Sequence, residues 1–477
     1  MALRITTPLL LCLPLLAGAQ TLSWDAPVDV APANAGTLRP RIVLNGDGAP
    51  VVLWANASSQ CWSAVGMGGS FMPPAMVSPA GLEIATSDWQ GPGIAASGDT
   101  LWAVFKGLPE DEHPSYLVGS TDGGSTWSDT LRIDPDDGLL SRFPAVAVGP
   151  TGEPVVQYMQ FSPGFGEARH VVRQMMGGMF MGVEQVSAPF APGYVCDCCP
   201  GQVIADGDRA VAMYRNAGNN IRTIWGAAST DGGMSFPAGA QLDATNWFLA
   251  ACPSSGPAGY LAGDSVRYVW MSGEENGAKV YLGSADATTL TAASQQIVHP
   301  GQAGSLMQNY PRIAGSGDTL GVVWEQSSGG SREILFAWST AGVAGLSAPD
   351  TVNVELMHAQ ETPDIAFADG AFHIVWSEVN SGQVRYRRAV IETNTGLAEP
   401  AQSAALTELV YDAVAHRLSF RGTQRGTLTV SDAGGRVLLS KSVSASTIDL
   451  PVLPAGAYVA SLVDRTGLSH TLAFVVP

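Results

Sequence analysis

Four cysteines of this chain are grouped in a way that could carry chemistry. Three lie in the stretch Cys196-Asp197-Cys198-Cys199-Pro200, and Cys252-Pro253 stands in the corresponding place of the next repeat. Thiolates at this density either form disulfides or bind a soft ion such as copper(I), or zinc in tetrahedral geometry. Two disulfides would need a strained bond within residues 196–199 or the recruitment of Cys61. The residues are compatible with both states, and with one disulfide beside free thiols.

Arginines form a second candidate set. Arg41, Arg142 and Arg312 each stand near the start of a strand-like segment, and Arg215 stands in the loop that follows one. A guanidinium group binds a carboxylate through two parallel hydrogen bonds, so such residues can hold an anionic substrate. We take Arg142 and Arg215 as candidate substrate-binding residues.

The elements that must position these residues are copies of one pattern. Each copy has a proline, an alternating strand, a glycine-containing turn and a second strand that usually ends in an aromatic residue. Copies begin at Pro40, Pro92, Pro144, Pro200, Pro257, Pro311 and Pro363. A period of about 50 residues is typical of propeller blades with four antiparallel strands. The pattern predicts an all-β propeller of seven blades, or of six if one copy is a decorated hairpin.

Closure of the ring and the faces of the propeller follow from the same pattern. The seventh copy lacks a fourth strand, which residues 23–32 near the N-terminus can supply, so that no sheet edge stays exposed. In such a meander, the turns from first to second and from third to fourth strand share one face. Cys196, Cys198, Cys199 and Cys252 precede first strands, so we expect all four near the axis on the other face.

Two turns carry a motif with a structural role. They read Ser-Thr-Asp-Gly-Gly and end in an aromatic residue, and they contain Ser120, Asp122, Gly124 and Trp127 in one copy and Ser229, Asp231, Gly233 and Phe236 in the other. The carboxylate can accept bonds from turn N–H groups, and glycine permits positive φ. These turns resemble the Asp-box of sialidase-like propellers, which implies a folding device on the face opposite the cysteines.

A further resemblance covers the fourth and fifth copies. VCDCCP, YRN with IRTIW, and the later W-x-x-x-x-CP-x-x-GP are similar to a group of secreted propellers labelled exo-alpha-sialidase. Sialidase chemistry implies an arginine cluster that holds the substrate carboxylate, a tyrosine nucleophile assisted by a glutamate, and an aspartate acid/base. The candidate catalytic residues are then Arg41, Arg312, Tyr310 and Glu361. We therefore expect recognition of a glycan or glycoprotein, with exo-glycosidase activity as an option. The alternatives are copper or zinc binding by the cysteines, and a non-catalytic adhesion propeller.

The two ends of the chain predict export. Residues 1–19 combine Arg4, an apolar run and Ala17-Gly18-Ala19, the pattern of a secretory signal peptide. We assign residues 20–391 to the propeller, 392–404 to a linker and 405–477 to a small antiparallel β-sandwich. VSDAGGRVLLSK, IDLPVLPAGAYVASLVD and TLAFVV in the tail resemble the C-terminal sorting domain of the type IX secretion system. That resemblance implies contact with the type IX machinery and a secreted or cell-surface protein.

Charge and hydropathy exclude other partners. The formal net charge is −18 at pH 7, whereas nucleic-acid binding needs basic patches that displace counterions. No segment reaches the ~18 consecutive apolar residues of a membrane-spanning helix. We therefore expect neither a nucleic-acid partner nor a transmembrane segment.

Overall fold

The structure is a computed structural model that describes residues 20–31, 38–275, 277–300, 307–328, 330–356, 359–393, 409–413, 415–433, 436–464 and 469–476. The chain forms two compact units, Ala19–Thr393 and a smaller unit that includes Asn394–Pro477. Residues 1–19 and nearly all of the expected linker lie outside the described residues. Among the described residues, no helix has the length and apolar character needed to cross a membrane.

The larger unit is built from antiparallel sheets of four or five strands. Two N-terminal strands, β1 (Gln20–Trp24) and β2 (Val28–Asp29), come first in the chain. The first sheet contains β3 (Leu38–Leu44), β4 (Pro50–Ala55), β5 (Cys61–Met67), β6 (Ser70–Phe71) and β7 (Ala75–Met76). The second contains β8 (Gly93–Ser97), β9 (Thr100–Lys106), β10 (Ser115–Ser120) and β11 (Leu131–Arg132). The third contains β12 (Leu140–Val148), β13 (Pro154–Ser162), β14 (Gly166–Met176), β15 (Met179–Phe180) and β16 (Glu184–Gln185).

The next two sheets carry the cysteines in the loops that precede them. The fourth contains β17 (Gln202–Asp206), β18 (Arg209–Asn216), β19 (Thr223–Ser229) and β20 (Ala238–Gln241). The fifth contains β21 (Ala258–Ala262), β22 (Ser265–Ser272), β23 (Lys279–Asp286) and β24 (Ala292–Ile297). The only helical segments in the described part of the chain are two 3-10 turns, Gly218–Asn220 and Gly342–Gly345.

The last two sheets bring the ends of the unit together. The sixth contains β25 (Met307–Ser316), β26 (Thr319–Ser328), β27 (Ser331–Ser339) and β28 (Asp350–Thr351). The seventh contains β29 (Gln360–Ala368), β30 (Ala371–Glu378) and β31 (Gln383–Thr393), and both β1 and β2 pair with β31. The N-terminal segment thus completes the sheet that holds the C-terminal strand of this unit.

The first strands of the sheets line the axis of the unit. The contacts run in cyclic order through β3, β8, β12, β17, β21, β25 and β29 and return to β3. Each second strand buries at least one large aromatic between neighbouring sheets, among them Trp54, Phe105, Tyr158, Tyr214, Trp270, Trp324 and Trp376. Burying a side chain of this size contributes several kcal/mol, on the order of 2–3 each, so these aromatics hold sheet against sheet. The architecture is an all-β propeller, and the predicted fold class is confirmed at this level.

The prolines of the repeat explain how side chains reach the axis. In β3, β12, β25 and β29 the register shifts just where the proline stands, which marks a β-bulge. Each residue before such a proline has a positive φ: Arg39, Phe143, Tyr310 and Thr362. Proline has no N–H for the ladder, so a bulge is where a strand tolerates it. A bulge also re-aims the neighbouring side chains.

The smaller unit is an antiparallel sheet in its described residues. It contains β32 (Leu409–Asp412), β33 (Arg417–Asp432), β34 (Val437–Asp449), β35 (Gly456–Asp464) and β36 (Ser469–Val476). The long strand β33 pairs with β32 near its start and with β35 near its end, while β34 runs along its other side. Its core includes Leu428, Ala460 and Leu462, all fully buried.

Candidate functional site

Three arginines converge at the axis of the propeller. Arg39, Arg41 and Arg312 line a cavity of about 160 Å³ between the first strands, and they also line an adjoining cavity that Tyr310 and Asp88 border. Pro40 lies between Arg39 and Arg41, and Arg312 directly follows Pro311, so all three arginines stand at the bulges of β3 and β25. We call Arg39, Arg41, Arg312, Tyr310 and Asp88 the arginine mouth.

The carboxylate bound within this cluster comes from β29. The Nε atom of Arg312 lies 3.5 Å from Oδ1 of Asp364, whose Oδ2 accepts a 3.0 Å hydrogen bond from the backbone N–H of Ile42. Arg41 donates from Nη1 to the carbonyl of Pro40 at 2.7 Å, and Arg39 donates to the carbonyl of Trp89. Carbonyl oxygens satisfy donors but carry no net charge, so the cationic charge of the cluster exceeds its bound anionic charge.

Burial and mutual repulsion act together on these arginines. Burial and then the neighbouring Arg312 lower the pKa of Arg39 to about 9. The same two causes lower the pKa of Arg41 well below its usual value. The Nε–H of Arg39 is buried without a hydrogen-bond partner among the described residues. An anion in this cavity would offset the repulsion and satisfy the free donor.

Carboxyl groups lie close to Tyr310. Burial raises the pKa of Tyr310, and the charges of Asp88, Glu325 and Glu361 act in the same direction. Burial and then Glu361 raise the pKa of Glu325 to about 7, and burial and then Asp88 raise that of Glu361. Arg332 forms ion pairs with both glutamates, at 3.7 Å to Glu325. A carboxyl group that titrates near neutral pH is suited to general acid/base chemistry.

The remaining sequence-predicted arginines lie elsewhere. Arg142 forms a 2.8 Å ion pair with Glu110 and stacks on Phe143 and Phe165, so its charge is compensated within the protein. Arg215 is fully buried beside the cysteines. Of the sequence-predicted residues, Arg41, Arg312 and Tyr310 belong to the mouth, and Glu361 lies near Tyr310. Arg142 and Arg215 do not line it.

Sequence reasoning missed three residues of this region. Arg39 stands before Pro40 as Tyr310 stands before Pro311, so comparison of these two repeat positions could have identified it. Asp88 belongs to the loop between the first and second sheets, and Glu325 lies on a second strand, β26. Neither position carries a sequence signal, because each reaches Tyr310 only across the folded structure.

The four cysteines of residues 196–199 and 252 do come together. Their Sγ atoms all lie within 4.8 Å of one another, and a disulfide joins Cys198 to Cys252. The Sγ of Cys196 lies 2.6 Å from that of Cys199 and 3.6 Å from that of Cys198. We call these four residues the cysteine cluster. Cys196 and Cys199 are buried, whereas Cys252 is exposed.

Two arginines act on the cysteine cluster. The thiol of Cys199 lowers the pKa of Cys196 by hydrogen bonding, against the effect of burial, and Arg215 and Arg222 lower it further. Burial raises the pKa of Cys199, with only partial opposition from Arg215. Arg215 donates to the carbonyls of Ser255 at 2.8 Å and Met271 at 2.7 Å. Of this pair, Cys196 is the thiol that ionises first.

The cysteine cluster and the arginine mouth share their loops. Pro200 and Gly201 follow Cys199 and line both cavities of the mouth. Residues 254–257 follow Cys252 and line the adjoining cavity. Gly256 approaches Pro200 so closely that a Cβ on this glycine would lie 1.9 Å from the proline carbonyl oxygen. A change between the disulfide and thiol states of the cysteines would therefore act on loops that line the mouth.

Cys61 does not join the cysteine cluster. Cys61 is fully buried in an apolar cluster of the first sheet, where burial raises the pKa of its thiol. It is not among the cysteines that lie within 4.8 Å of one another. Met357 and His358, two further residues with soft ligand atoms that precede the seventh copy of the repeat in the sequence, lie outside the described residues.

The two Ser-Thr-Asp-Gly-Gly turns satisfy their own polar groups. Asp122 accepts bonds from the N–H of Thr126 at 2.9 Å and from its hydroxyl at 2.6 Å. Ser120 accepts from the N–H of Gly124 at 3.0 Å, and Gly123 and Gly124 both have positive φ. The aromatic residue that ends the turn, Trp127, packs toward the first sheet and donates to Ser63 at 2.9 Å.

The second turn repeats this geometry. Asp231 accepts from the N–H of Ser235 at 2.9 Å and from its hydroxyl at 2.6 Å, and Ser229 accepts from Gly233 at 2.9 Å. Phe236 is buried in the apolar cluster between the third and fourth sheets. The N–H of Gly232 donates to the backbone carbonyl of Asp208 in the turn between β17 and β18. This turn follows the end of the first strand that lies away from the cysteines.

Comparison with known proteins identifies the fold and no family. No protein-family model matches the chain, and no curated protein matches its sequence. A solved structure of a PL25 ulvan lyase bound to -[GlcA(1-4)Rha3S]- has a TM-score of 0.51 and 9% identity, covering 75% of this chain and 94% of that chain. Trypanosoma rangeli sialidase in complex with sialic acid has a TM-score of 0.43 and 13% identity, covering 95% and 88%. Penicillium chrysogenum alpha-L-arabinanase with arabinobiose has a TM-score of 0.44 and 13% identity, covering 77% and 98%. Identities this low concern the fold alone.

Proposed function

We propose that the protein is a sialidase-like, seven-bladed propeller that binds an acidic glycan at the arginine mouth. The observation that carries the proposal is the grouping of Arg39, Arg41 and Arg312 around Asp364. The three guanidinium groups, of which that of Arg41 is buried and those of Arg39 and Arg312 are partly buried, repel one another. A ligand carboxylate would relieve that repulsion while accepting two parallel bonds. The seven sheets in cyclic contact support the blade count.

An acidic sugar is the ligand class that fits best. The three arginines and Asp364 line the cavity of about 160 Å³, and Tyr310 and Trp89 line the adjoining cavity. Aromatic rings at a rim pack against sugar faces, while the arginines select a charged over a neutral sugar. The ulvan lyase of similar fold holds a ligand with a glucuronic acid unit, and a sialidase of similar fold holds sialic acid.

Tyr310 and Asp88 of the mouth, together with the nearby Glu325, are the groups that glycoside hydrolysis would need. In that reaction the Tyr310 oxygen attacks the anomeric carbon while Glu325 takes the phenolic proton, and Asp88 donates a proton to the departing sugar oxygen. Water then attacks the anomeric carbon and breaks the tyrosyl–sugar bond. Asp88 takes the proton from this water, and Glu325 returns its proton to the Tyr310 oxygen. Glu325 suits the role of base because its pKa is raised to about 7, first by burial and then by Glu361.

A ligand panel tests binding and turnover together. Isothermal titration of the purified full chain would compare sialic acid and uronic acid oligosaccharides with neutral sugars of the same length. We expect binding of at least one acidic sugar and none of its neutral counterpart; equal binding of both would refute the proposal. Release of reducing sugar, abolished in Tyr310→Phe with binding kept, would establish hydrolysis. Binding without turnover in the wild type identifies the adhesion propeller instead.

Export is the second part of the proposal. Residues 1–19 would be the signal peptide, and residues 405–477 a β-sandwich that the type IX secretion machinery reads. The antiparallel pairing of β32 to β36 is compatible with such a domain. Expression of the full chain and of a chain ending at residue 404 in a type IX-competent host tests it. We expect only the full chain in the medium or on the cell surface; secretion of both would refute the role of the tail.

A further inference from the structure

We propose that the cysteine cluster, once reduced, is a tetrathiolate site for a closed-shell soft ion, zinc(II) or copper(I), which joins the loops before the fourth and fifth sheets. The proposal does not rest on the glycan function. Its first support is geometric: four Sγ atoms from two loops lie within 4.8 Å of one another. Sulfurs around a tetrahedral zinc, at a bond length of about 2.3 Å, stand about 3.8 Å apart. Small side-chain rotations would therefore complete the site.

The donor set selects the class of ion. The group that could hold a metal consists of Cys196, Cys198, Cys199 and Cys252, with no histidine or carboxylate among them. Thiolates favour zinc and copper(I), whereas calcium and magnesium take oxygen ligands. Four thiolates would fill the tetrahedral coordination of zinc, which is typical of a closed structural site rather than an open catalytic one.

Buried positive charge supplies independent support. Four thiolates around zinc(II) carry a net charge of −2, which is costly to bury without compensation. Arg215 is fully buried, and its Nη1 has no hydrogen-bond partner among the described residues. The Nε–H of Arg222, also buried, is likewise without one. Both arginines act electrostatically on Cys196, so they lie close enough to offset part of the charge of the site.

Loading requires reduction of the Cys198–Cys252 bond. A dithiol reductant would attack the exposed Cys252 sulfur as a thiolate, breaking the S–S bond and releasing Cys198 as a thiolate. The second thiol of the reductant then attacks the mixed disulfide and releases Cys252. The reductant leaves as a disulfide, so two electrons pass to the protein. The ion then displaces the remaining thiol protons.

Metal titration of the full chain tests the proposal. The protein would be reduced with excess dithiothreitol under argon, desalted, and titrated with cobalt(II) as a spectroscopic probe, then with zinc(II) and with copper(I). We expect one equivalent of cobalt(II), intense thiolate-to-metal charge-transfer bands, and their loss on adding zinc(II). Cys196→Ser and Cys252→Ser should weaken binding at least 100-fold, whereas Cys61→Ser should bind as wild type. Equal binding by all variants, or no cobalt(II) bands in the wild type, would overturn the proposal.

A second measurement covers variants that fail to fold. In the reduced wild type, a thiol reagent under mildly denaturing conditions should label all five cysteines outside residues 1–19, and zinc(II) should protect four of them against the reagent. Protection of none or one would also overturn the proposal. Arg312→Met should keep metal binding, so loss of glycan binding and loss of metal binding can be told apart.

Discussion

The Ser-Thr-Asp-Gly-Gly turns and the arginine mouth lie at opposite ends of the first strands. They differ in how far hydrogen bonds and opposite charges within the protein compensate their charged groups. In the turn of residues 229–236, Asp231 accepts two bonds from Ser235 and a third from the Ser229 hydroxyl at 2.7 Å. At the mouth, Arg39, Arg41 and Arg312 surround one bound carboxylate, and the Arg39 Nε–H has no partner in the described residues. The turn uses its polar groups for folding, whereas the mouth keeps excess positive charge and one buried donor without a partner, as our proposal of a ligand site requires.

This difference shows that the function of a charged residue cannot be inferred from its residue type alone. Arg142 stands two residues before its repeat proline and pairs with Glu110, whereas Arg312 stands directly after its own and shares Asp364 with two other cationic side chains. Their place at the bulge and the charges supplied by neighbouring sheets separate the two arginines. Mutations at the two ends should therefore separate stability from binding.

The largest expected effect concerns the loops of the mouth. In Gly256→Ala the new Cβ would lie 1.9 Å from the carbonyl oxygen of Pro200, so the loops before the fourth and fifth sheets must move apart. We expect the free energy of unfolding to fall by about 3 kcal/mol or more, as for other buried steric conflicts. Urea denaturation of the purified chain measures it. Gly182→Ala, where nothing lies within 4 Å of the added Cβ, is the control and should change little.

Binding should respond most to the arginines of the mouth. Arg312→Met keeps much of the side-chain volume but removes the charge and the bond to Asp364. We expect the dissociation constant for the acidic sugar to rise about 100-fold, or about 2.7 kcal/mol, with little loss of stability. The matched control is Arg209→Met, which removes a 2.6 Å ion pair with Asp264 at the turn end of the fourth sheet. If both variants bind equally, the mouth is not the ligand site.

A turn variant should show the reverse behaviour. Asp231→Ala leaves the N–H and hydroxyl of Ser235 and the hydroxyl of Ser229 without their acceptor. The loss should cost about 1–2 kcal/mol of unfolding free energy, because water replaces part of these bonds at a half-exposed site. Titration with the acidic sugar should give an unchanged dissociation constant. A weakened affinity without a loss of stability would contradict the folding role of the turn.

The sequence predicted the propeller fold because its repeat sets the strands, the turns and the buried aromatics locally. The placement of the cysteines before two consecutive first strands likewise follows from repeat position, and the structure brings those four sulfurs together. The arginine mouth was harder to predict, since Arg39 reaches the axis through a bulge and Asp88 approaches Tyr310 from a loop of another sheet. Such contacts depend on how neighbouring sheets are packed, which no local pattern encodes.

The smallest expected effect is a difference in pH dependence. Burial, and then Glu361, raise the pKa of Glu325 to about 7, so the folded protein keeps a proton that the unfolded chain loses above its normal value of 4.5. Its contribution to stability is therefore present at low pH and is lost as the pH rises from about 4.5 through 7. In Glu325→Gln the unfolding free energy should fall less over that window. The unfolding free energy of this variant should still fall somewhat with rising pH, because burial also raises the pKa of Asp243 to about 7.

The contribution of Asp231 to stability should depend on pH with the opposite sign. Although burial raises its pKa, the bonds from Ser235 outweigh that effect and lower it, so its contribution is present above the unfolded pKa of 3.8 and is lost as the pH falls below it. Urea denaturation between pH 3 and pH 8 would follow both variants beside Glu83→Gln, a change at an exposed residue. Glu325→Gln should flatten the curve above pH 4.5, and Asp231→Ala should flatten it only at the acidic end. Identical curves would mean that the two carboxylates experience the same environment, which would contradict the contrast between the hydrogen-bonded Asp231 of the turn and the buried carboxyl group of Glu325 near Tyr310.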